Sequence, residues 1–549
     1  MGTWVLLIGA VLLMGYAVYE LVARPASARQ HTRHTAAPTA RSGAVSVARA
    51  PIALSARLDD LRAIPMAATA NATTLIVAMS VLGVVGWLVL CGWYSLFGHY
   101  TRPDFAFDKI PDHYNSSILQ NTTWIFLALT LMYGAIFALL RTVPQVSRAL
   151  KATIILGVVG AAVVNVFIYP VGALDAYYYI IELKLAYLYH LNPYITTMAQ
   201  THPIDALATS GFAFGLDLLF PYGPAWLLLS WAPTVFTGFA DVQHVLIGLK
   251  LYNMLQLAIT AYLLYRYQDD DRRGWLAAYL FLANPLVLFE GVGNAHNDVM
   301  MAMFLVAALL ALKKQSWLAG PLLMLSVLVK FFSAGLVPLF LLVMLKQRWS
   351  VRKIAMSALS SMVVLFICCA PYWAGGRLIG GFEAATTASQ GASSASIFSL
   401  LREYMSLNNA FPTTISALHS AMYGVFAVLA IAILFGVGRG RDPEPAANDT
   451  FLLFSVLLSL LYPWYLITAF ALLALRRGRI ALGYLYAATT FGLVYHPLSV
   501  WAWFNSGWIP FHIHLLQGLF LAAPILGLFL VELGLYAAAR SRWLRRIAM

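Results

Sequence analysis

Apolar positions in this chain form unbroken stretches. They do not alternate at period two or trace the one-sided stripe of a soluble helix. The stretches lie at roughly 3–22, 74–97, 124–141, 152–170, 243–265, 274–290, 299–312, 316–345, 354–372, 416–437, 450–475, 480–497 and 513–536. In hydrocarbon every backbone polar group must pair within its own segment, so such runs predict membrane helices. Two runs are too long for one span and short for two. Each breaks near its middle, 316–345 at Lys330 and 450–475 at Pro463. Both are predicted to be hairpins of two short helices. The run Pro224–Ala240 carries Pro224 and Pro233 and is predicted to lie in the membrane interface without crossing. The fold class is therefore all-α, a polytopic transmembrane bundle of about 13–15 membrane helices including the hairpin helices, with extracytoplasmic juxtamembrane helices.

Basic residues orient the bundle. Of the 35 Lys and Arg residues, 28 fall in eight clusters between the runs, and Lys and Arg favour cytoplasmic loops. Placing all eight clusters on the cytoplasmic side puts the N-terminus outside, the C-terminus inside and the longest loops outside. The net charge of +13 is then a matter of topology, and no nucleic-acid partner is implied. Hydrophobic residues make up 61% of the chain and charged residues 10%, against about 25% charged in soluble domains, which excludes a string of such domains. The three cysteines lie in apolar runs and suggest no disulfide framework. The chain divides into an N-terminal transmembrane helix (1–23), an Arg-, Ala- and Ser-rich cytoplasmic linker (24–72), an accessory helix pair (73–151), the main membrane domain (152–536) and a basic cytoplasmic tail (537–549). With this orientation the chain is expected to be a multi-pass membrane protein whose chemistry lies on the extracytoplasmic side.

Chemistry must then sit in the external loops, about 171–242, 373–415 and 498–512, and in the helix ends beneath them. Asp175 stands just beyond a membrane helix, where a carboxylate can act as a general base; as readily, it caps the next helix. Tyr178 and its neighbouring tyrosines offer surfaces that stack on sugars, or form an interfacial belt. The group Glu290, Asn294, His296, Asn297 and Asp298 is costly beside a bilayer unless it binds something. An N-cap role for Asn297 or Asp298 leaves Glu290 and His296 unexplained. Lys330 stands alone in an apolar run, placed to meet a lipid phosphate or to snorkel outward. Weaker candidates are Trp464 and Tyr465 at the second hairpin tip, Arg377 and Arg402, and His496, His512 and His514, which read more readily as satisfied interface residues. No nucleotide-binding loop is present.

The order of these motifs resembles that of GT-C glycosyltransferases. An acidic residue after a membrane helix, then Asn192-Pro193-Tyr194, then Tyr222-Gly223-Pro224, is similar to their first external loop. Asn284-Pro285 followed by Gly293-Asn-Ala-His-Asn-Asp298 resembles the second loop of the bacterial polyprenol-phosphate-mannose-dependent mannosyltransferases. Lys330 before Pro338 resembles a donor-phosphate lysine of lipid-A aminoarabinose transferases, and Pro463-Trp464-Tyr465 a late helix-tip motif. The resemblance covers about 152–536 and leaves helices one to three outside.

The resemblance implies a hexosyltransferase, with mannose as the sugar expected and glucose or arabinofuranose open. The donor would be a polyprenyl-phosphate sugar, and the acceptor a glycolipid or lipid-linked glycan in contact with membrane lipid. Asp175 would be the base of an inverting displacement. Lys330 and Arg377 would stabilise the leaving phosphate, and His296, Asn297 and Asp298 would bind sugar or phosphate. Tyr178, Glu182, Glu290, Trp464 and Tyr465 complete the expected substrate-binding set. The helix at 224–240 would border the acceptor, and the hairpins would hold the prenyl chain. One departure is the single Asp175 where a pair of acids is usual; Glu182, two turns on, is either a second acid or the partner of Lys184. No cofactor is called for, and a divalent cation stays open without being implied. The competing reading is a lipid-linked glycan flippase or transporter, or a non-catalytic scaffold. A transporter should show internal repeats and ionisable groups at the midplane, which the sequence does not offer apart from Lys330.

Overall fold

The computed structural model describes residues 66–99, 116–143, 146–171, 175–201, 205, 207, 217–375, 377, 394–409, 411–457, 461–476, 479–506 and 510–547. The helix expected at 1–23 and the linker as far as residue 65 lie outside the described residues. Among the described residues every regular element is helical, apart from one bridge between Ser95 and Ile168.

Helix α1 (Met66–Trp93) begins inside the segment expected to be linker, because the Ala-rich stretch before Asn71 favours helix. Next come α2 (Ser116–Thr142) and α3 (Arg148–Val166). These helices share the main core. Tyr133 of α2 donates to the Leu280 carbonyl at 2.6 Å, and Tyr279 donates back to the Tyr133 carbonyl at 3.1 Å. The external segment holds α4 (Asp175–Tyr187) and α5 (Pro224–Thr237). At 14 residues α5 is about 21 Å long, too short to cross a bilayer core of about 30 Å. The span α6 (Val242–Tyr267) follows.

The run expected as one helix over 274–290 is broken. Helix α7 (Asp271–Leu282) meets α8 (Pro285–Leu288) at a 53° bend, and α8 continues into a π turn at Phe289–Gly293. Asn284 explains the break. Its side-chain oxygen accepts from the Leu286 and Val287 amides, its amide donates to Thr489, and Pro285 fills the first helical position.

Both hairpins are present. Helix α9 (Asp298–Lys313) descends about 24 Å to Lys313, which donates to Asp269 and to the Tyr267 carbonyl. Helix α10 (Ala319–Val329) climbs back to Lys330, and α11 (Val337–Lys346) returns to Lys346, which bonds the Val437 carbonyl. After α12 (Val351–Cys369), the short α13 (Ile397–Leu407) and the span α14 (Pro412–Gly438), the second hairpin is formed by α15 (Pro443–Leu457) and α16 (Leu466–Ala474). Asp449 near its start pairs with both Arg441 and Arg476, so its two ends meet on the same basic face. Helices α17 (Arg479–Ser506) and α18 (Phe511–Ile547) close the bundle, with α18 running through most of the segment expected as a tail.

Six described helices are long and apolar enough to cross a membrane, with the bent α7–α8 pair a seventh candidate. Helix α14 leaves Val428 and Ile431 about two-thirds exposed, as a lipid-facing helix should. By contrast every residue of α16 is buried; at nine residues it reaches only half-way across.

Candidate functional site

The tips of both hairpins, the π turn and α4 converge at the end of the bundle away from the basic face. Lys330 caps α10 in an extended conformation, which turns its side chain inward onto Asp298, the first residue of α9. The ammonium lies 3.0 and 2.9 Å from the two carboxylate oxygens, and both residues are buried. Tyr465 offers its ring face to the same ammonium at 3.9 Å, which supplies cation–π attraction in a desolvated place. Asp298 and Lys330 therefore form a buried ion pair.

Asp175 comes to this pair from above. It opens α4, where the helix dipole favours a carboxylate, and it is only half-buried. Tyr222 donates to its Oδ1 at 3.1 Å, and the Tyr222 ring lies 5.8 Å from the Lys330 ammonium. Asp175 is within electrostatic reach of both Asp298 and Lys330. A backbone approach sets this geometry. The Gly223 amide donates to the Val329 carbonyl at 3.1 Å, and a Cβ on Gly223 would sit 1.9 Å from the Leu328 carbonyl oxygen. Only glycine lets the segment carrying Tyr222 lie this close to the hairpin tip.

Glu290, in the π turn, has both oxygens engaged: Oε1 contacts His496 Nε2, and Oε2 accepts from Asn294 at 2.8 Å and lies 3.4 Å from His296 Nε2. His296 stacks on Trp464 at 4.2 Å, and Trp464 stacks in turn on Tyr462 at 4.6 Å. Asn297 occupies the N-cap position of α9 but makes no side-chain cap bond, so the capping explanation fails for it. Both Asn297 amide atoms, Asn294 Oδ1 and His296 Nδ1 are buried without a hydrogen-bond partner among the described residues. Unsatisfied polar atoms gathered in one buried place are costly and suit the hydroxyls of a sugar.

Glu182 is buried on the inner side of α4 and faces Tyr178, and burial pushes its carboxyl up to about 8. Lys184 pairs instead with Asp205, which also accepts from Tyr189 at 2.6 Å. The partnership of Glu182 with Lys184 is therefore not formed. Arg377 is exposed, and no contact with the cluster is seen among the described residues. The buried arginine is Arg402, on α13 and within electrostatic reach of Tyr462. Tyr222 and His496 join the cluster through contacts made across 47 and 206 residues, which no local pattern announces. Among the described residues no three His, Cys, Asp or Glu side chains are arranged to hold a metal ion.

A membrane bundle with this cluster at one face has the features of an integral-membrane glycosyltransferase of GT-C type, the class its motifs resemble. Residues 80–346 match the family model described as alpha-(1->6)-mannopyranosyltransferase, N-terminal domain, a GT-C type mannosyltransferase family. The match takes in the second half of α1 and all of α2, which the motif resemblance left outside, and it ends with α11. It covers Asp175, Glu290, Asp298 and Lys330 but not Trp464 or His496. No curated protein matches the chain.

Proposed function

We propose that the protein transfers mannose from a polyprenyl-phosphate-mannose donor to a glycolipid or lipid-linked glycan acceptor, at the membrane face opposite the basic one. The observation that carries this reading is the meeting of half-buried Asp175 with the buried Lys330–Asp298 pair at a hairpin tip. Asp175 takes the proton of the acceptor hydroxyl as that oxygen bonds to the anomeric carbon. The bond from the anomeric carbon to the phosphate oxygen breaks, and polyprenyl phosphate leaves with the electron pair. Lys330 has three N–H donors, so it can serve the leaving phosphate while still bound to Asp298, and low dielectric strengthens that contact. His296, Asn294 and Asn297 hold the sugar hydroxyls, with Trp464 stacked behind His296.

Mannose and an α-(1→6) linkage follow the family description. A single displacement inverts, so an α-mannoside requires a β-linked mannosyl phosphate donor. The test is label transfer by purified protein in lipid nanodiscs, given polyprenyl-phosphate mannose, glucose or arabinofuranose with a mannosylated glycolipid. Transfer from the mannose donor alone is expected. Transfer from another donor with none from mannose would overturn the sugar, and none from any donor would overturn the transferase reading.

A further inference from the structure

Outside the residues already discussed, the membrane span α6 buries a polar stripe of Lys250, Asn253, Gln256 and Thr260. One member reaches the site. Asn253 Nδ2 donates to the carbonyl of Gly291 at 2.9 Å and to the carbonyl of His296 at 3.0 Å. A carboxamide has two N–H groups, so one side chain serves both acceptors. We infer that Asn253 is a positioning residue, clamping the loop that carries His296, Asn297 and Asp298 into its working conformation. This rests on the mannosyl-transfer reading of the site.

The loop needs a clamp because its backbone is irregular. It leaves the π turn at Gly293 and passes through Ala295 at φ 59°, a left-handed conformation that a residue with a Cβ rarely adopts. The two carbonyls held by Asn253 bracket this strained stretch. Close packing fixes where the bracket sits: a Cβ on Gly291 would lie 2.9 Å from Val299 and 3.3 Å from Leu257, one turn beyond Asn253 on α6. Beyond the bracket, the His296 ring meets Trp464 and the Asp298 carboxylate meets Lys330. A shift of this loop therefore displaces the sugar-facing and phosphate-facing groups together.

The experiment is a double-mutant cycle with a strain-release control. Asn253→Ala is expected to lower kcat for mannosyl transfer about 100-fold, as misplacement of a site by roughly 1 Å does. In a His296→Ala background the same change should cost clearly less than about 100-fold, because the part of its effect that runs through the His296 ring is already lost while the part that runs through Asn297 and Asp298 remains. Adding Ala295→Gly to Asn253→Ala should restore part of the rate, since the left-handed conformation no longer carries strain. Amides of residues 289–297 should exchange at least about tenfold faster in Asn253→Ala, with α12 unchanged. If Asn253→Ala does not accumulate, Asn253→Ser keeps one donor and is read in the same cycle. Wild-type kcat in the variant, full additivity with His296→Ala, or unchanged exchange would each overturn the inference. Absence of transfer by the wild-type protein would instead overturn the mannosyl-transfer reading, and the exchange measurement would still decide whether Asn253 clamps the loop.

Discussion

Gly223→Ala is the most exacting perturbation the geometry offers. Gly223 has an ordinary φ of −75°, so space alone makes it glycine. The added Cβ would lie 1.9 Å from Leu328 O, 2.4 Å from its carbonyl carbon and 2.9 Å from its Cα, all backbone atoms of α10. Ordinary contact begins near 3.4 Å, so the two segments must part by about 1.5 Å. That separation breaks the 3.1 Å bond from Gly223 to Val329 and draws Tyr222 away from Asp175. A lost buried hydrogen bond of about 1 kcal/mol and overpacking of about 1–3 kcal/mol predict a destabilisation of about 2–4 kcal/mol. Displacement of more than 1 Å at the site predicts a loss of transfer rate of about 100-fold or more. The assay is initial-rate mannosyl transfer beside the thermal unfolding midpoint, with Gly424→Ala as control, since a Cβ there meets nothing within 4 Å. A Gly223→Ala protein with wild-type rate and midpoint would refute the close approach of Tyr222 to the hairpin tip, and with it the route by which Asp175 reaches Lys330.

Two further outcomes follow from the buried charges. Asp298→Asn strands the Lys330 ammonium and should destabilise the protein by about 3–5 kcal/mol, while the double change Asp298→Leu with Lys330→Met regains stability but not transfer; equal midpoints for wild type and Asp298→Asn would remove the pair from the core. Glu182 is held at about 8, above its ordinary 4.5, so between those values the folded protein keeps a proton that the unfolded chain has lost. Its contribution is present below about 4.5 and is lost as pH rises to about 8, a slope that Glu182→Gln should abolish; parallel pH profiles of the unfolding midpoint for the two proteins would contradict the burial of that carboxyl.

Much of the architecture is legible in the residues because lipid enforces a simple rule on backbone pairing. Lys330 and Pro463 mark the two hairpin tips, and the basic clusters mark the face where both hairpins begin and end. The bend at Asn284–Pro285 escapes a hydropathy reading because the two arms together read as one apolar run; only the capping pattern of Asn before Pro distinguishes it. Pairings are the least legible part. Lys330 and Asp298 each stand out, yet their union depends on how α10 packs against α9. His496 resembles any histidine near a helix end until the π turn brings Glu290 to it. Asn253 lies in the middle of an apolar span, and its significance appears only with the two carbonyls it serves.

The measurement closest to the central claim is mannosyl transfer by wild type and Asp175→Asn at equal abundance in membranes. Asn preserves the shape and can still accept from Tyr222, but it cannot take a proton from the acceptor hydroxyl. Loss of about 100- to 10,000-fold in rate is the predicted result, the range for a general base. Transfer by Asp175→Asn at the wild-type rate would contradict the claim that this carboxylate, above the Lys330–Asp298 pair, is where the sugar changes hands.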